Sequence, residues 1–472
     1  MIPDSELGLI GLGVMGKSLA INLAEKGVHV AVYNRHVSGR EEGIARQLLA
    51  ENTSLPNLKG FDEVDEFIQS LARPRRIMLM IYAGAVDEQL EELVRLLEPG
   101  DVIIDGGNSN YKDTARRTGL LASKEIYFLG AGISGGEEGA RTGPSIMAGG
   151  SERGYVLVAK YLELIAAKDK AGSPCASYFG PGGAGHFVKM VHNGIEYAEM
   201  QVMAEVFGLL RNLLKISTEE IIDILQDWQT GELGSYLLQI TIDILGKKEG
   251  DGLLLDKIQD QAEQKGTGGL STEAALEYGV PYGPLSEAVM ARFISAMKAQ
   301  RVDAAALYPR QPMINEADRD AFITSLKNGY QAARIINHEI GFNLMLHAAK
   351  HHHWELDLSE IARIWTNGCI IRSVLMEELS EILKSGESIL FAPVIVGRLN
   401  IWTKDLAIIV GGGLQQGFAL PVLSAGLNYF LANTTADSPA NLIQAQRDYF
   451  GAHTYQRNDH PAGQYFHTIW KP

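Results

Sequence analysis

A glycine-rich motif near the N-terminus constrains the fold of this 472-residue chain more than any other feature. Leu7–Ile10 is a short apolar run, followed by Gly11-Leu-Gly13-Val-Met-Gly16, a helix-compatible segment to Lys26 and a second apolar run at Val28–Tyr33. Strand, Gly-x-Gly-x-x-Gly, helix and strand within about 30 residues are typical of a dinucleotide-binding fold. The glycines let the backbone approach a pyrophosphate, which binds at the helix N-terminus. The motif therefore predicts a nucleotide-binding sheet domain at the start of the chain.

The residues after the second apolar run indicate which dinucleotide binds. NAD-binding folds usually place an Asp or Glu at the end of this strand, where it accepts a hydrogen bond from the ribose 2′-hydroxyl. Here the strand ends in Asn34-Arg35-His36. An Asn followed by an Arg is a poor acceptor, whereas Arg can pair with a 2′-phosphate. A polar turn after a strand would also explain these residues, but the pattern favours NADP.

Further apolar runs alternate with helix-like segments such as Val86–Leu97 and extend the sheet. The runs are Ile77–Ile81, Val102–Asp105, Ile126–Gly130 and Ser145–Ala148. This alternation predicts an α/β domain over residues 1–180 with a mainly parallel, doubly wound, Rossmann-like sheet. Ligands of such sheets bind in the loops beyond the carboxyl ends of the strands. Those loops are Tyr82-Ala-Gly84, Asp105-Gly-Gly-Asn-Ser109 and Gly132-Ile-Ser134-Gly135-Gly136-Glu-Glu.

The pattern changes after Pro181-Gly-Gly-Ala-Gly185, where helical periodicity replaces strands. It predicts a large all-helical domain over residues 181–440, followed by a C-terminal tail at 441–472. The fold class is therefore α/β plus all-α. The tail contains Arg447-Asp-Tyr-Phe-Gly-Ala-His453 and is rich in aromatic and polar residues, unlike a disordered segment. An ordered tail needs a surface to pack against, and a second subunit is one candidate.

The stretch from Gly185 to Leu214 carries the strongest catalytic signal. At about 100° per residue, one polar wedge of a helix contains Lys189, His192, Asn193, Glu196 and Tyr197. The opposite side is an apolar stripe of Phe187, Val191, Ile195, Ala198, Val202, Val206 and Leu209. A solvated helix face could show similar spacing. Because the wedge holds one group of each functional type rather than repeated charges, we expect a helix that buries its back and presents a catalytic edge.

Composition and charge exclude several classes of function. The 42 basic and 57 acidic residues give a net charge of −15, which disfavours nucleic acid and anionic membranes but not a small anionic substrate. No apolar run of about 18 residues is present and no signal peptide precedes the first strand, so we expect a cytoplasmic protein. Cys175 and Cys369 form neither a disulfide framework nor a zinc site. Adjacent residues of a helix point in different directions, so we interpret His351-His352-His353 as a surface feature rather than a metal site.

These motifs resemble the decarboxylating 6-phosphogluconate dehydrogenases over nearly the whole chain. The resemblance is carried by Gly11–Gly16, Asn34-Arg35, Asp105–Ser109, Ile133–Arg141, Phe187–Tyr197 and Arg447–His453, of which the last three are highly specific. It implies a Rossmann-like domain, a helical domain and a tail that enters the partner's site in a homodimer. The implied reaction converts 6-phosphogluconate and NADP to ribulose 5-phosphate, CO2 and NADPH in the pentose phosphate pathway, without a metal.

The resemblance also implies residue roles. Lys189 would act as general base at the C3 hydroxyl, and Glu196 as the general acid that protonates C1. The implied substrate-binding residues are Asn108, Ser134, Gly135, Gly136, His192, Asn193, Tyr197, Lys265 and Arg292, together with the partner's Arg447 and the partner's His453. The implied cofactor-binding residues are Gly11, Leu12, Gly13, Val14, Met15, Gly16, Asn34, Arg35, His36, Tyr82, Ala83, Gly84 and Asn108.

The chain departs from the family's usual pattern at several positions without losing an implied catalytic residue. The departures are His36, Tyr82, Asn110, Ala148, Gly269-Leu270 and Thr366-Asn367. One alternative is a related β-hydroxyacid dehydrogenase that does not decarboxylate, although such enzymes are typically shorter and lack the Arg447–His453 tail. A second alternative is a non-catalytic NADP-binding sensor, which would have no need of the Lys189–Glu196 pair.

Overall fold

Residues 7–178 form an eight-stranded sheet with helices on both faces. The computed structural model describes residues 4–263, 266–308 and 319–471. The strands are β1 (Leu7–Ile10), β2 (Val30–Tyr33), β3 (Leu58–Phe61), β4 (Arg76–Leu79), β5 (Val102–Asp105), β6 (Tyr127–Ile133), β7 (Ile146–Gly150) and β8 (Ala176–Tyr178). Their order is β3-β2-β1-β4-β5-β6-β7-β8, and every neighbouring pair is parallel except β6 and β7. The predicted doubly wound α/β fold is confirmed.

The helices of this region cover the sheet on both sides, so central strands such as β1, β2 and β5 are buried at every residue. They are α1 (Val14–Glu25), α2 (Ile44–Glu51), α3 (Val64–Ser70), α4 (Val86–Leu93), α5 (Tyr111–Ala122), α6 (Gly136–Thr142) and α7 (Glu152–Ile165). Alternate strand residues fill two separate cores. In β1, Leu7 and Leu9 share one core with Leu19 of α1, while Ile10 shares the other with Phe67 of α3.

The two edge strands, β3 and β8, were not predicted. The sequence of β3 is Leu-Lys-Gly-Phe, in which only Leu58 and Phe61 are buried, and β8 has three residues. Short edge strands with few buried side chains give little periodic signal. The antiparallel pairing of β7 with β6 was also unforeseen, because an apolar run does not encode the direction of its neighbour.

The remaining described chain is mainly helical. Its helices are α8 (Ala184–Gly208), α9 (Thr218–Gln229), α10 (Tyr236–Gly246), α11 (Thr267–Glu277), α12 (Gly283–Ala296), α13 (Lys298–Leu307), α14 (Arg319–His352), α15 (Leu358–Ile364), α16 (Val374–Ile382), α17 (Pro393–Gln415), α18 (Pro421–Asn433) and α19 (Ala440–Gly451). One short hairpin pairs β9 (Lys248–Glu249) with β10 (Gly252–Leu253). None of the helices in the described ranges is both long enough and apolar enough to cross a membrane.

The chain divides into two compact units, Met1–Gly426 and Leu427–Pro472. The first contains the sheet and most of the helices, and the second contains the C-terminal segment with α19. The domain limits at residues 180 and 440 stay predictions.

Helix α8 lies at the centre of the larger unit. It packs against β6 and β7 of the sheet and against α11, α12 and α14 of the helical region. Facing glycines allow the close approach, since a Cβ built on Gly149 would lie 2.3 Å from the amide nitrogen of Gly185. The predicted helix is present, and its polar face is not a solvated one. Lys189 and His192 are buried, as is Val191 on the apolar side, because the sheet and the other helices enclose α8.

The three histidines at the end of α14 differ in their surroundings. His351 and His353 are exposed, as predicted for a surface feature. His352 instead stacks on Trp354 with ring centroids 4.4 Å apart, and its Nε2 lies 2.7 Å from the hydroxyl of Tyr278. His352 is thus half-buried rather than fully exposed, because Trp354 and Tyr278 pack against its ring.

Candidate active site

A cleft of about 820 Å³ lies beyond the carboxyl ends of β1, β2 and β4. The Gly-rich loop forms one wall. Gly11 has a φ of 97°, and a Cβ on Gly16 would lie 1.9 Å from the carbonyl oxygen of Gly11, so both positions require glycine. No side chain of the described residues caps the N-terminus of α1 at Gly13. The amides of this helix end can therefore bind an anion, and the cleft fits the pyrophosphate of a dinucleotide.

The predicted cofactor residues lie in and around this cleft. Those that line it are Gly11, Leu12, Gly13, Asn34, Arg35 and Tyr82. Those on the adjoining segments are Val14, Met15 and Gly16 in the first turn of α1, His36 after β2, Ala83 and Gly84 after β4, and Asn108 after β5. Their individual contacts with a cofactor stay predictions.

Asn34 and Arg35 have different roles at the end of β2. The side-chain oxygen of Asn34 accepts a hydrogen bond of 2.8 Å from the Leu12 amide, which ties the end of β2 to the Gly-rich loop. Arg35 is exposed and lies 3.4 Å from Glu41. Among the described residues that line the cleft, the cationic ones are Arg35 and Arg95. Arg35 is therefore the cation at the strand end, where a 2′-phosphate would bind.

The polar face of α8 forms a hydrogen-bonded group inside the protein. Lys189 Nζ donates to Asn193 Oδ1 over 2.8 Å and lies 3.4 Å from His192 Nδ1. The same His192 nitrogen lies 3.6 Å from Glu196 Oε2. The other ring nitrogen, Nε2, lies 3.2 Å from the Ser134 hydroxyl on the loop after β6. The structure thus brings five of the predicted site residues together.

Burial shifts the pKa values of Lys189 and Glu196 in opposite directions. Desolvation lowers the pKa of the Lys189 ammonium, against the attraction of Glu196. Desolvation also raises the pKa of the Glu196 carboxyl, against the attraction of Lys189 and then Arg292. The pKa of His192 lies well below its ordinary value, first because of burial and then because of Lys189. Each shift is therefore towards the neutral form of the group, which suits proton transfer in both directions.

Glycines at the end of β6 and in the loop after it bring the backbone close to this group. A Cβ on Gly132 would lie 2.2 Å from the Cβ of Lys189, so the strand and α8 touch at that point. Gly135 and Gly136 have φ values of 105° and 62° at the start of α6. A Cβ on Gly135 would lie 2.6 Å from the carbonyl oxygen of Gly368, so the backbone at Gly368 packs directly against the loop.

Tyr197 and Arg292 mark the far end of the polar face. The Arg292 guanidinium lies 3.5 Å from the centroid of the Tyr197 ring, and its Nη1 donates to the carbonyl oxygen of Glu263 over 2.9 Å. A Cβ on Gly268 would lie 2.6 Å from the same ring, so α11 packs against Tyr197. Lys265, which was predicted to bind here, lies outside the described residues.

Sequence analysis missed a buried network beneath the loop that carries Asn108. Arg117 Nε donates to Asp87 over 2.9 Å, and Arg117 Nη1 lies 3.4 Å from Asp105. The Ser109 hydroxyl donates to Asp105 over 2.6 Å. Hydrogen bonding to Arg117 is the main cause that lowers the pKa of Asp87 to about 2. The network fixes both ends of the loop while Asn108 stays exposed.

An ion pair between α8 and α14 was also missed. Glu199 Oε2 accepts a hydrogen bond of 2.6 Å from Arg334 Nε, and both side chains are buried. Glu199 follows Glu196 by three residues, so helical spacing could have placed it beside the polar wedge. Its partner Arg334 is 135 residues away in sequence, so no local sequence pattern predicts that the two side chains pair. Breaking such a buried pair is strongly destabilising, so the pair holds α8 in place.

The C-terminal unit is organised around Asp448. This buried carboxylate accepts hydrogen bonds of 2.9 Å from the Thr454 amide and 2.8 Å from the Trp470 indole. Desolvation raises its pKa, but hydrogen bonds from His467, Thr468 and Trp470 hold the pKa below its ordinary value. The predicted substrate-binding residues of this unit are Arg447 and His453, both exposed.

Two family models match consecutive parts of the chain. The one described as the NAD binding domain of 6-phosphogluconate dehydrogenase matches residues 6–180. The one described as the 6-phosphogluconate dehydrogenase C-terminal domain matches residues 185–470. Together they cover the sheet, the helical region and the tail.

Individual relatives are similar over the same length. The decarboxylating 6-phosphogluconate dehydrogenase of Chlamydia pneumoniae is 44% identical over 478 residues, covering 99% of this chain and 98% of that protein. The enzyme of the same name from Staphylococcus aureus strain N315 is 43% identical over 470 residues, covering 98% of this chain and 99% of that protein. The solved structure of Plasmodium falciparum 6-phosphogluconate dehydrogenase, described in its apo form and in complex with its cofactor NADP+ and its substrate 6-phosphogluconate, is 37% identical. It has a TM-score of 0.93 and covers 98% of this chain and 100% of that chain. This chain therefore belongs to the family of decarboxylating 6-phosphogluconate dehydrogenases.

Proposed function

We propose that the polar face of α8 catalyses the reaction of this family. That reaction is the oxidative decarboxylation of 6-phospho-D-gluconate to D-ribulose 5-phosphate and CO2, with reduction of NADP to NADPH. The observation that carries the proposal is the pair Lys189 and Glu196 on one buried helix, each with its pKa shifted towards the neutral form. The reaction needs a base at one carbon and an acid at another, and these two groups supply them.

Lys189 acts first, as the base at C3. Its neutral amine takes the proton of the C3 hydroxyl while the C3 hydrogen leaves as hydride, and bound NADP supplies the hydride acceptor. The product of this step is a 3-keto acid. The Lys189 ammonium then donates a hydrogen bond to the C3 oxygen, which stabilises the negative charge that develops there as the C1–C2 bond breaks and CO2 leaves.

Glu196 acts in the final proton transfer. Loss of CO2 leaves an enolate, which becomes an enediol when the Lys189 ammonium gives its proton to the C3 oxygen. The protonated Glu196 carboxyl then protonates the terminal carbon of the enediol. Neutral Lys189 takes back the proton of the C3 hydroxyl in the same step, so the C3 oxygen becomes the ketone oxygen of ribulose 5-phosphate. Desolvation raises the pKa of Glu196, which favours the protonated form that this step requires.

The other predicted residues bind the substrate. Ser134, His192 and Asn193 offer hydroxyl, imidazole and amide groups beside Lys189 for the hydroxyls and carboxylate of the substrate. Tyr197 and Arg292 stand at the phosphate end. A local cation of this kind allows a protein with a net charge of −15 to bind an anionic sugar acid.

Replacing the proposed base tests this assignment. Lys189→Met removes the amine but keeps an unbranched apolar side chain of similar length. We expect turnover of 6-phosphogluconate with NADP to fall below a few per cent of the unmodified rate, by the roughly 10²–10⁴-fold of general base catalysis or more. Affinity for NADP, measured by calorimetry, should change little, because Lys189 does not line the cofactor cleft.

Lys124→Met is a matched control, because Lys124 is exposed near the end of α5. It should leave turnover unchanged. Substantial activity in Lys189→Met, with the protein folded, would exclude Lys189 as the base. An inactive unmodified protein that binds NADP would instead favour the sensor alternative.

We further propose that the enzyme is a homodimer in which the tail of each subunit completes the site of the other. Both units have exposed apolar side chains, which favour contact with another protein surface. In the larger unit they include Ile401 and Ile408 of α17, and in the C-terminal unit Leu442, Ile443 and Phe450 of α19. Apolar groups clustered on a surface mark sites of protein association. The family resemblance assigns the partner's Arg447 and the partner's His453 to the substrate phosphate.

Complementation between two inactive variants tests the shared site. Lys189→Met and Arg447→Ala are mixed under conditions that exchange subunits. In a mixed dimer one site then carries both defects and the other carries neither. With random pairing about half the dimers are mixed, so roughly a quarter of all sites should recover activity. If each tail served its own subunit, every site would keep one defect and the mixture would stay inactive despite proven exchange.

Three expectations from the sequence stay predictions. Fractionation of cells that produce the protein tests its cytoplasmic location. Turnover after treatment with a chelator tests its independence of metals. Loss of the gene, followed by measurement of flux from glucose 6-phosphate to pentose phosphates, tests its role in the pentose phosphate pathway.

A further inference from the structure

The end of β2 contains an unexpected carboxylate. In NAD-binding folds an acidic residue at this strand end accepts a hydrogen bond from the ribose 2′-hydroxyl. Here the strand ends at Tyr33 and Asn34 follows, so the sequence lacks an acidic residue at that point. The structure nevertheless places Glu41 in the lining of the cofactor cleft, together with Asn34 and Arg35. A residue seven positions later in the chain thus supplies the missing group.

A tight turn brings Glu41 back to the strand end. The Val37 amide donates to the carbonyl oxygen of Glu41 over 3.0 Å, and the Glu41 amide donates to the carbonyl oxygen of Val37 over 2.8 Å. Gly39, with a φ of 74°, allows the chain to reverse between them. The turn is closed by backbone hydrogen bonds, so the position of Glu41 is a property of the local fold.

The Glu41 carboxylate is held by both neighbours. One oxygen accepts a hydrogen bond of 3.0 Å from the Asn34 amide group, and the other lies 3.4 Å from Arg35 Nη2. The bond from Asn34, and then that from Arg35, lowers the pKa of Glu41, so the group is charged at neutral pH. Its side chain is 37% exposed, so it remains accessible to a ligand.

The charge of Glu41 affects which cofactor the cleft binds. Four acidic side chains line the described cleft, namely Glu41, Glu88, Glu91 and Glu92, against the two cations Arg35 and Arg95. A 2′-phosphate at the strand end would bind Arg35 next to the Glu41 carboxylate. The two negative charges would then be close together and would repel each other. A 2′-hydroxyl would instead donate to the same carboxylate, and a hydrogen bond to a charged acceptor is a strong one.

We infer that Glu41 is a specificity-determining residue that accepts the ribose 2′-hydroxyl of NAD, so that the protein binds NAD as well as NADP. Arg35 serves the 2′-phosphate of NADP and Glu41 serves the 2′-hydroxyl of NAD. When no cofactor is bound, the two side chains pair with each other. The ratio of the two affinities depends on this pair. The inference rests on the proposed function only in taking these dinucleotides as the ligands.

Calorimetric titration of NADP and of NAD into the full-length protein tests the inference. Glu41→Gln removes the charge and keeps an amide oxygen that can accept from Asn34, so the turn should persist. Without the carboxylate, NADP should bind about five-fold more tightly, as expected for one repulsion between solvent-exposed charges. NAD should bind about five-fold more weakly, because a neutral acceptor forms roughly half as strong a hydrogen bond. The NADP-to-NAD affinity ratio should therefore rise by about 25-fold, the product of the two changes.

Two further variants and one analogue sharpen the test. Glu42→Gln is the matched control, since the neighbouring carboxylate accepts from the Gly39 amide and does not line the cleft. It should leave both affinities unchanged. Arg35→Ala should weaken NADP by at least about ten-fold while NAD binds as before or better. On the unmodified protein, 2′-deoxy-NAD should bind more weakly than NAD, a result that needs no variant.

A rise of the affinity ratio by more than about five-fold in Glu41→Gln, with loss of NAD affinity, would establish the role of Glu41. A smaller rise, or equal binding of NAD and 2′-deoxy-NAD, would overturn it. Turnover assays separate this result from the proposed function. Failure to bind NAD, together with turnover of 6-phosphogluconate with NADP, refutes only the inference about Glu41. Binding of both cofactors without turnover refutes only the proposed function.

Discussion

The contact between β6 and α8 predicts a large effect of adding one methyl group to Gly132. A Cβ at this position would lie 2.2 Å from the Cβ of Lys189 and 2.6 Å from its Cγ. Carbon atoms in ordinary contact are about 3.5–4.0 Å apart, so strand and helix would have to separate by roughly 1.5 Å. Both Lys189 atoms belong to the root of the side chain, which cannot rotate away. Gly132→Ala should therefore move the backbone that carries the proposed base.

The expected magnitudes follow from that displacement. Overpacking of a close-packed interior costs roughly 1–3 kcal/mol of unfolding free energy. A misplacement of about 1 Å at a reacting group lowers the rate by about 10²-fold. Gly132→Ala should consequently lose at least that factor in kcat with 6-phosphogluconate and NADP, while the affinity for NADP in the distant cleft changes little. Steady-state assays and chemical denaturation of the same preparations measure both quantities.

Gly119→Ala provides the matched control. Gly119 lies inside α5, and a Cβ built on it meets no atom within 4 Å. Alanine there should raise stability by up to about 1 kcal/mol, because it favours the helix more than glycine does, and turnover should not change. An unchanged unfolding free energy in Gly132→Ala, together with a kcat within about three-fold of the unmodified protein, would refute the close packing of β6 against Lys189.

Two further predictions concern groups away from the reaction. Burial raises the pKa of Glu205 from 4.5 to about 7, although the amides of Val422 and Leu423 at the start of α18 each donate to it. The neutral form is thus favoured in the folded state, and its contribution to stability is complete below pH 4.5 and lost as the pH rises through about 7. Glu205→Gln should abolish that loss, on the order of 3 kcal/mol, in denaturation curves recorded across this pH range. Asp448→Ala should speed hydrogen exchange at the Thr454 and Thr468 amides, which donate to this carboxylate. Unchanged exchange there would show that Asp448 does not organise the tail.

The parts of the site that sequence analysis predicted are those encoded by local spacing. Helical periodicity placed Lys189, His192 and Glu196 on one face of α8, and the structure brings these side chains together. The order of strand, glycine motif and helix likewise predicted the sheet and the nucleotide cleft, because each element there has its own apolar pattern.

The parts that it missed depend on contacts between distant segments. The burial of Lys189 and His192 on α8 results from packing with β6, β7 and α14. The periodicity of one helix does not indicate which other elements cover its polar face. The partners of Arg117 lie 30 and 12 residues away in sequence. Glu41 reaches the end of β2 through a turn closed by backbone hydrogen bonds, which no motif for cofactor choice includes.

The central position of α8 has a consequence for how the enzyme loses activity. Many active sites lie on surface loops that open far more readily than the whole protein unfolds. Here the proposed proton-transfer groups belong to a helix enclosed by the sheet and by three other helices. The amides of α8 should therefore be among the slowest to exchange with solvent. Heating should then separate the proposed proton-transfer groups only at temperatures where the entire larger unit melts, so exchange of the α8 amides and loss of structure in that unit should follow the same curve.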